Sequence, residues 1–259
     1  MLVRNQYISA VRPFIGLDIV KVITGIRRSG KSVLLRQIRD EIAHNVDPSG
    51  MFIEINLEEE ENAPFLAKGA LHAHVLKTIK KAKGRKVYVF LDEVHDMEDW
   101  EITVNSLRTK KNVDVYITGS NSKLLSGELA SCLTGRYVDI QVTPFSFAEF
   151  CDAYASEAKG GEEDAFRKYL TIGGMPFVSN LGFREDLAAS YLEDVFSSIL
   201  LKDVAKRGKI RDVDVLSRIV RYVMTEAGHT FSAASTLKGK TITMRVAIIA
   251  TPIFAIFFI

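Results

Sequence analysis

The chain has 259 residues, of which 34 are Lys or Arg and 32 are Asp or Glu, and its formal net charge is +2. Its composition, 47% hydrophobic and 25% charged, is close to the globular average and excludes disordered, collagen-like and disulfide-framework proteins. The small net charge gives no overall electrostatic reason to expect a nucleic acid or an anionic membrane as partner. The two cysteines, Cys132 and Cys151, lack metal-ligand spacing and fit a reducing cytosol, so we expect a cytoplasmic protein.

The first half of the chain alternates short β-rich runs with longer helical patterns, which is typical of an α/β fold with a parallel sheet. Three of the runs are rich in β-branched and aromatic residues, as strands buried on both faces should be. Five strands are expected, at residues 19–24, 51–57, 86–91, 113–118 and 136–142. Helices are expected between them at residues 31–45, 64–83, 99–110 and 122–130.

From Pro144 onward the pattern is helical only, with apolar residues at i, i+3 and i+4 spacing. The expected helices cover residues 145–154, 162–171, 183–206 and 212–226, and the breaker GGMP at 173–176 separates the second from the third. We therefore predict three parts. They are an α/β core at 1–143, a helical lid-like domain at 144–228, and the start of an incomplete C-terminal module with an apolar tail at 229–259.

Residues 25–32 read GIRRSGKS and match the phosphate-loop pattern G-x-x-x-x-G-K-[ST] in full, between a predicted strand and a predicted helix. The glycines let successive backbone N–H groups converge on phosphate. Lys31 can reach the β- and γ-phosphates, and the Ser32 hydroxyl can ligate magnesium. Arg27 and Arg28 could contact phosphate or a neighbouring subunit, or be solvated loop charges. The predicted nucleotide-binding residues are Gly25, Ile26, Arg27, Arg28, Ser29, Gly30, Lys31, Ser32 and Val33.

Two carboxylates follow the third predicted strand, in the run VYVFLDE at residues 87–93. Ligands of open α/β sheets bind at the carboxyl ends of the strands. We expect Asp92 to hold the magnesium and Glu93 to polarise the attacking water, a role that a metal-bound carboxylate cannot fill. The alternative is a solvated pair that caps a helix. His95 follows the pair and could respond to the nucleotide site.

Two further polar segments are candidates for the reaction. Asn121, with Ser120 as second choice, follows the fourth predicted strand and could hydrogen-bond the γ-phosphate or the lytic water, although either could simply cap the next helix. Arg136 opens the fifth predicted strand and could stabilise charge on the transferring phosphate, within the chain or across a subunit boundary. The alternative for Arg136 is a salt bridge at the start of a strand.

Taken together, these runs resemble a prokaryotic AAA-type ATPase family with a C-terminal domain of unknown function. The segments that carry the resemblance are ITGIRRSGKSVLLRQI, YVFLDEVHDMEDWE, VYITGSNSKLLSGELASCLTGRY, VTPFSFAEF and GGMPFV. The resemblance implies a P-loop three-layer sandwich in which the strand before Asn121 lies between the loop strand and the acidic strand. It also implies ATP and magnesium, with Lys31 and Ser32 as nucleotide and metal ligands, Asp92 and Glu93 as metal partner and base, and Arg136 as a finger.

The C-terminus departs from this resemblance. Residues 246–259 read VAIIATPIFAIFFI, apolar throughout, where the family would continue with a winged-helix-like segment and a further domain. We interpret this tail as a truncated or frame-shifted end. A tail anchor is the alternative, but 14 apolar residues are short for a bilayer core of about 30 Å, so no membrane association is expected. A buried terminal strand is the third interpretation.

The function indicated by the sequence is hydrolysis of ATP to ADP and phosphate with magnesium. Turnover would move the helical domain and an unknown protein or DNA partner, and a homo-oligomer could supply the finger arginine. The alternative is a nucleotide-gated binding module with negligible turnover. A kinase is disfavoured because the acidic pair suits a lytic water, and a GTPase because the chain has no N-K-x-D sequence.

Overall fold

The computed structural model describes residues 2–119, 133, 135–157, 160–199 and 212–225. Within these ranges five strands form one parallel sheet in the order β2-β3-β4-β1-β5. The strands are β1 (Val20–Gly25), β2 (Met51–Asn56), β3 (Val87–Asp92), β4 (Val113–Thr118) and β5 (Tyr137–Val142). The strand β4 thus lies between the loop strand β1 and the acidic strand β3, which confirms the topology implied by the resemblance.

The α-helices fill the intervals between and after the strands. They are α1 (Asn5–Val11), α2 (Lys31–Glu41), α3 (Ala70–Lys81), α4 (Trp100–Arg108), α5 (Phe147–Tyr154), α6 (Gly161–Ile172), α7 (Glu185–Ser198) and α8 (Val213–Thr225). The helix expected at 122–130 and the end of the helix expected at 183–206 lie outside the described residues.

The helix expected from residue 64 was placed too early. A 3₁₀ segment, Glu60–Leu66, precedes it, and the α-helix starts only at Ala70. Pro64 has no N–H to donate inside a helix, and Gly69, at φ +78, is the residue immediately before α3. Pro64 and Gly69 therefore delay the start of the α-helix. The helical spacing of apolar residues begins before it, because neither residue disturbs that spacing.

The sheet is covered on both faces, which gives three layers. One face packs with apolar residues of α3 and α4, including Leu71, Val75, Val104 and Leu107, all fully buried. The other face packs with α1 and α2. Burial on both faces explains why β1, β3 and β4 are buried along their whole length.

The second face also buries a charged pair. Lys21 on β1 forms an ion pair with Asp114 on β4, and both side chains are at most 1% exposed. Asp114 also accepts from the Tyr116 hydroxyl at 2.9 Å and from the backbone N–H of Gly16 at 2.7 Å. Burial lowers the pKa of Lys21, and the neighbouring Asp114 opposes that shift.

The chain divides into two compact units, Met1–Phe183 and Arg184–Ile259. The first contains the sheet and α1–α6, and the second contains α7 and α8. Within the first unit, an aromatic cluster joins α5 to α6, and its ring centroids lie 4.9–5.6 Å apart. Its members are Phe147, Phe150, Tyr154, Phe166, Tyr169 and Phe183. The boundary predicted at 143 falls inside this unit and stays a prediction.

Candidate functional site

The phosphate loop connects the carboxyl end of β1 to the first turn of α2. Gly25 is the last residue of β1, and α2 starts at Lys31 with Ser32 and Val33 in its first turn. Between them, Ile26 and Arg27 are partly exposed, Arg28 is exposed, and Ser29 is fully buried. The loop therefore has an inner, packed side and an outer side on which a ligand can lie against the helix N-terminus.

Gly25 has no room for a side chain. Its φ is +151°, and a Cβ there would lie 2.3 Å from the Val142 carbonyl oxygen and 2.9 Å from Ser29 Oγ. Both distances are below van der Waals contact, so any other residue would push the loop away from β5. The close approach of the two backbones fixes where the loop leaves the sheet.

Lys31 and Glu93 meet in front of this loop. Lys31 Nζ lies 3.9 Å from Glu93 Oε1 and donates to the Ile26 carbonyl at 3.1 Å. Their side chains are only 4% and 13% exposed. Burial raises the pKa of Glu93, and the nearby Lys31 opposes this shift. The carboxyl ends of β1 and β3 thus bring a buried cation and a buried carboxylate together.

Glu93 is held in an unusual backbone conformation. Its φ of +55° is in the left-handed region, which costs a non-glycine residue about 1–3 kcal/mol. The residue starts a 3₁₀ turn, Val94–Asp96, and His95 Nδ1 from this turn lies 3.2 Å from Glu93 Oε2. Strain of this kind is found at sites where a side chain must point in a set direction.

Thr118 links the two carboxylate residues and was missed by the sequence analysis. It is the last residue of β4 and is fully buried. Its hydroxyl donates to Asp92 Oδ1 and accepts from the backbone N–H of Glu93 at 3.0 Å. A polar residue at the carboxyl end of the strand beside an acidic strand is the signal that could have found it. Threonine's high strand propensity concealed that signal.

Replacing Thr118 with valine is expected to lower the free energy of unfolding by about 1–3 kcal/mol. The shape is nearly unchanged, but the half-buried Glu93 N–H and one buried oxygen of Asp92 lose their partner. Urea unfolding of Thr118→Val beside Thr118→Ser measures the effect, because serine keeps the hydroxyl. Equal stability of the valine variant and the wild type would contradict the assignment.

Arg136 is not brought to this site within the chain. Its carbonyl oxygen accepts from the N–H of Val20, and Val20 pairs with Tyr137 at the amino ends of β1 and β5. The loop lies at the opposite, carboxyl end of the sheet, about 20 Å away at about 3.3 Å per residue. The expectation that Arg136 acts within the chain is therefore corrected, and action across a subunit boundary stays a prediction. The sites expected at Ser120 and Asn121 lie outside the described residues.

The segment GGMP at 173–176 lies beside the phosphate loop. The backbone N–H of Phe145 donates to the Gly174 carbonyl at 2.7 Å, and the Tyr169 hydroxyl donates to the Phe145 carbonyl at 3.0 Å. A Cβ placed on Gly30 would be 3.7 Å from Pro176 Cγ. A segment that the sequence indicates as a helix breaker, and that carries part of the family resemblance, thus lies close to the loop.

Comparisons with known proteins agree with this geometry. Residues 18–151 match the family model of an AAA domain, and residues 163–248 match a model described only as a domain of unknown function. A Walker-type ATPase of Pyrococcus abyssi has a similar structure, with a TM-score of 0.60 and 14% identity, covering 99% of this chain and 90% of that one.

Two curated relatives are also similar in sequence. An uncharacterized protein of Haemophilus influenzae is 35% identical over 229 residues, covering 88% of this chain and 56% of the relative. An uncharacterized protein of Methanocaldococcus jannaschii is 30% identical over 213 residues, covering 79% and 46%. The chain thus spans about half the length of the curated relatives it matches.

In the described part of the chain, no helix is both long and apolar enough to cross a bilayer. The match to the AAA domain model spans just over half of the sequence. It includes all five strands, the phosphate loop and the acidic pair. The chain therefore belongs to the AAA domain family.

Proposed function

We propose that the protein binds ATP at the phosphate loop and hydrolyses it to ADP and phosphate. The observation that carries this proposal is the meeting of Lys31 and Glu93, with 3.9 Å between Nζ and Oε1, in front of a complete phosphate loop. The lysine would bind the β- and γ-phosphates, and the carboxylate would orient a water molecule beside the γ-phosphate. A carboxylate that can orient a water molecule is what hydrolysis needs in addition to groups that bind the phosphates.

The chemistry assigned to the side chains is in-line displacement. The oxygen of water forms a bond to the γ-phosphorus, the bond from that phosphorus to the bridging oxygen breaks, and ADP leaves with the electron pair. Glu93 hydrogen-bonds the attacking water and accepts its proton. Burial raises the pKa of Glu93, which makes it a stronger base than an exposed glutamate.

The residues present fit a magnesium ion. Asp92 is 7% exposed, and the Thr118 hydroxyl engages its Oδ1, which leaves Oδ2 for a ligand. The Ser32 hydroxyl at the start of α2 is the second oxygen donor. Hard oxygen ligands suit magnesium, which takes few ligands from protein and the rest from phosphate and water. When bound, magnesium would neutralise charge on the phosphates.

Turnover would be coupled to the helical part of the chain and to a partner that the sequence does not identify. The proximity of Pro176 to Gly30 supports this, because a change in the loop would be felt in the GGMP segment. A homo-oligomer could bring Arg136 to the γ-phosphate bound by a neighbouring subunit. The partner that turnover moves could be a protein or DNA. The name of the Pyrococcus abyssi neighbour, a Walker-type ATPase, supports the reaction class.

The proposal is tested by measuring phosphate release from ATP with magnesium over a range of protein concentrations, with Lys31→Ala as the matched variant. We expect turnover in the wild type and none above background in the variant, because the variant loses the cation at the phosphates. A specific activity that rises with concentration would indicate a residue supplied by a neighbouring subunit. No turnover despite tight ATP binding would overturn hydrolysis in favour of a nucleotide-gated binding module.

A further inference from the structure

Arg4 is a buried charge that belongs to none of the sequence motifs of the site. Its side chain is only 2% exposed and forms a bidentate ion pair with Glu149 of α5. Nε donates to Oε1 and Nη2 donates to Oε2, both at 2.8 Å. Burial raises the pKa of Glu149, but the hydrogen bonds from Arg4 and Ser146 outweigh this and leave the pKa lowered. A planar guanidinium is the group that fits two carboxylate oxygens at once.

Three backbone carbonyls also accept from Arg4, and Nη2 reaches one of them, the Pro144 oxygen, at 3.4 Å. Nη1 donates to the Thr143 oxygen at 2.8 Å and to the Ser29 oxygen at 3.3 Å. Thr143 directly follows β5, and Ser29 is the buried residue of the phosphate loop. One side chain therefore joins the loop, the end of β5 and the first turn of α5.

Hydrogen bonds to α2 hold the N-terminal segment, and with it Arg4, in place. The backbone N–H of Arg4 donates to Gln37 Oε1 at 3.1 Å, and Gln37 Nε2 donates to the Leu2 carbonyl at 2.8 Å. Gln37 belongs to α2, the helix that begins at the phosphate loop. The Tyr7 and Phe145 rings also lie against the guanidinium, with centroids 4.5 and 5.4 Å from Cζ.

The bond to Ser29 has a consequence for phosphate binding. The carbonyl of Ser29 and the N–H of Gly30 belong to one planar trans peptide, so they point in opposite directions. An anion-binding loop needs its N–H groups toward the anion and its carbonyls away from it. By holding the Ser29 carbonyl on the inner side, Arg4 directs the Gly30 N–H to the outer side, where phosphate would lie.

We propose that Arg4 is a positioning residue that sets the phosphate loop for ATP and transmits ATP binding from the loop to α5 through Glu149. This inference rests on the proposed binding of ATP at the loop. A phosphate of ATP that accepts from the Gly30 N–H would strengthen the hydrogen bond from Arg4 to the Ser29 carbonyl. The ion pair between Arg4 and Glu149 of α5 would become more rigid as a result. The first turn of α5 would then respond to the nucleotide through the buried side chain of Arg4.

The test uses Arg4→Lys and Glu149→Gln, with Arg12→Met as the control. Arg12 is a nearby arginine whose side chain is 57% exposed and pairs with Glu41 on the surface. A lysine keeps the charge but cannot bridge a carboxylate and three carbonyls. Binding of a fluorescent ATP analogue is titrated well below the melting temperature. Amide hydrogen exchange over residues 146–154 is compared with and without ATP.

We expect Arg4→Lys and Glu149→Gln to raise the Kd for the analogue about tenfold, as loss of a charged hydrogen bond would. ATP should slow exchange in residues 146–154 of the wild type and of Arg12→Met, and leave that segment unchanged in the two test variants. A protein that was merely less stable would keep both responses in its folded fraction.

Three results would overturn the inference. Folded variants with the wild-type Kd and the wild-type exchange response would show that Arg4 carries no signal. Loss of folding in both variants would assign Arg4 a purely structural role. Absence of saturable binding in the wild type would overturn the proposed function, and this inference with it. That third result is distinguished from the first two because it is seen in the unmodified chain.

Discussion

Replacing Glu93 with glutamine is expected to lower the rate of ATP hydrolysis by about two to four orders of magnitude, the range that a positioned general base contributes. Glutamine has the same shape and still hydrogen-bonds water, but it cannot accept the proton. Binding of ATP should change little, because the loop and Lys31 remain. The effect would therefore appear in kcat at saturating ATP.

Single-turnover phosphate release measures this effect directly. Glu98→Gln is the matched control, because Glu98 is an exposed glutamate five residues further along the chain. Hydrolysis by Glu93→Gln at the wild-type rate would show that another group activates the water. A loss of ATP binding in that variant would instead show that the pair with Lys31 shapes the loop.

The parts of the site that the sequence could predict are those with local signals. The glycine spacing of the phosphate loop, the strand before it and the helix after it are contiguous, and the structure places all three as expected. The acidic pair follows an apolar run and lies at the carboxyl end of β3, as expected. Parallel strands place their carboxyl ends together, so two short motifs were enough to predict one site.

The parts that could not be predicted depend on contacts between distant residues. Arg4 and Glu149 are 145 positions apart. Glu149 completes a capping box with Ser146, which predicts the start of α5 but does not indicate a partner as distant as Arg4.

Thr118 has a side chain that is common in strands, so its sequence context alone gives no signal of a site. It hydrogen-bonds Asp92 only because the sheet order places β4 beside β3. The strand order also explains the correction at Arg136, because the register of β5 on β1 places that residue at the wrong end.

Replacing Asp114 with alanine is expected to lower the free energy of unfolding by about 3–5 kcal/mol, the cost of breaking a buried ion pair by removing one partner. Lys21 is fully buried and would keep a charge with no counter-ion, or lose its proton. The Tyr116 hydroxyl and the Gly16 N–H would lose their acceptor as well. Removing the Asp114 carboxylate therefore leaves three donor groups without this acceptor.

Urea unfolding of Asp114→Ala beside Asp18→Ala tests this expectation. Asp18 also forms an ion pair, with Arg108, but its side chain is 72% exposed, so removing it should cost about 1 kcal/mol or less. Adding Lys21→Met to Asp114→Ala removes the stranded charge and should recover part of the loss, because an apolar side chain is cheap to bury. Recovery should stay incomplete, since the Tyr116 and Gly16 donors still lack a partner. Equal stability of the Asp114 and Asp18 variants would show that water reaches the pair and that β1 and β4 do not depend on it.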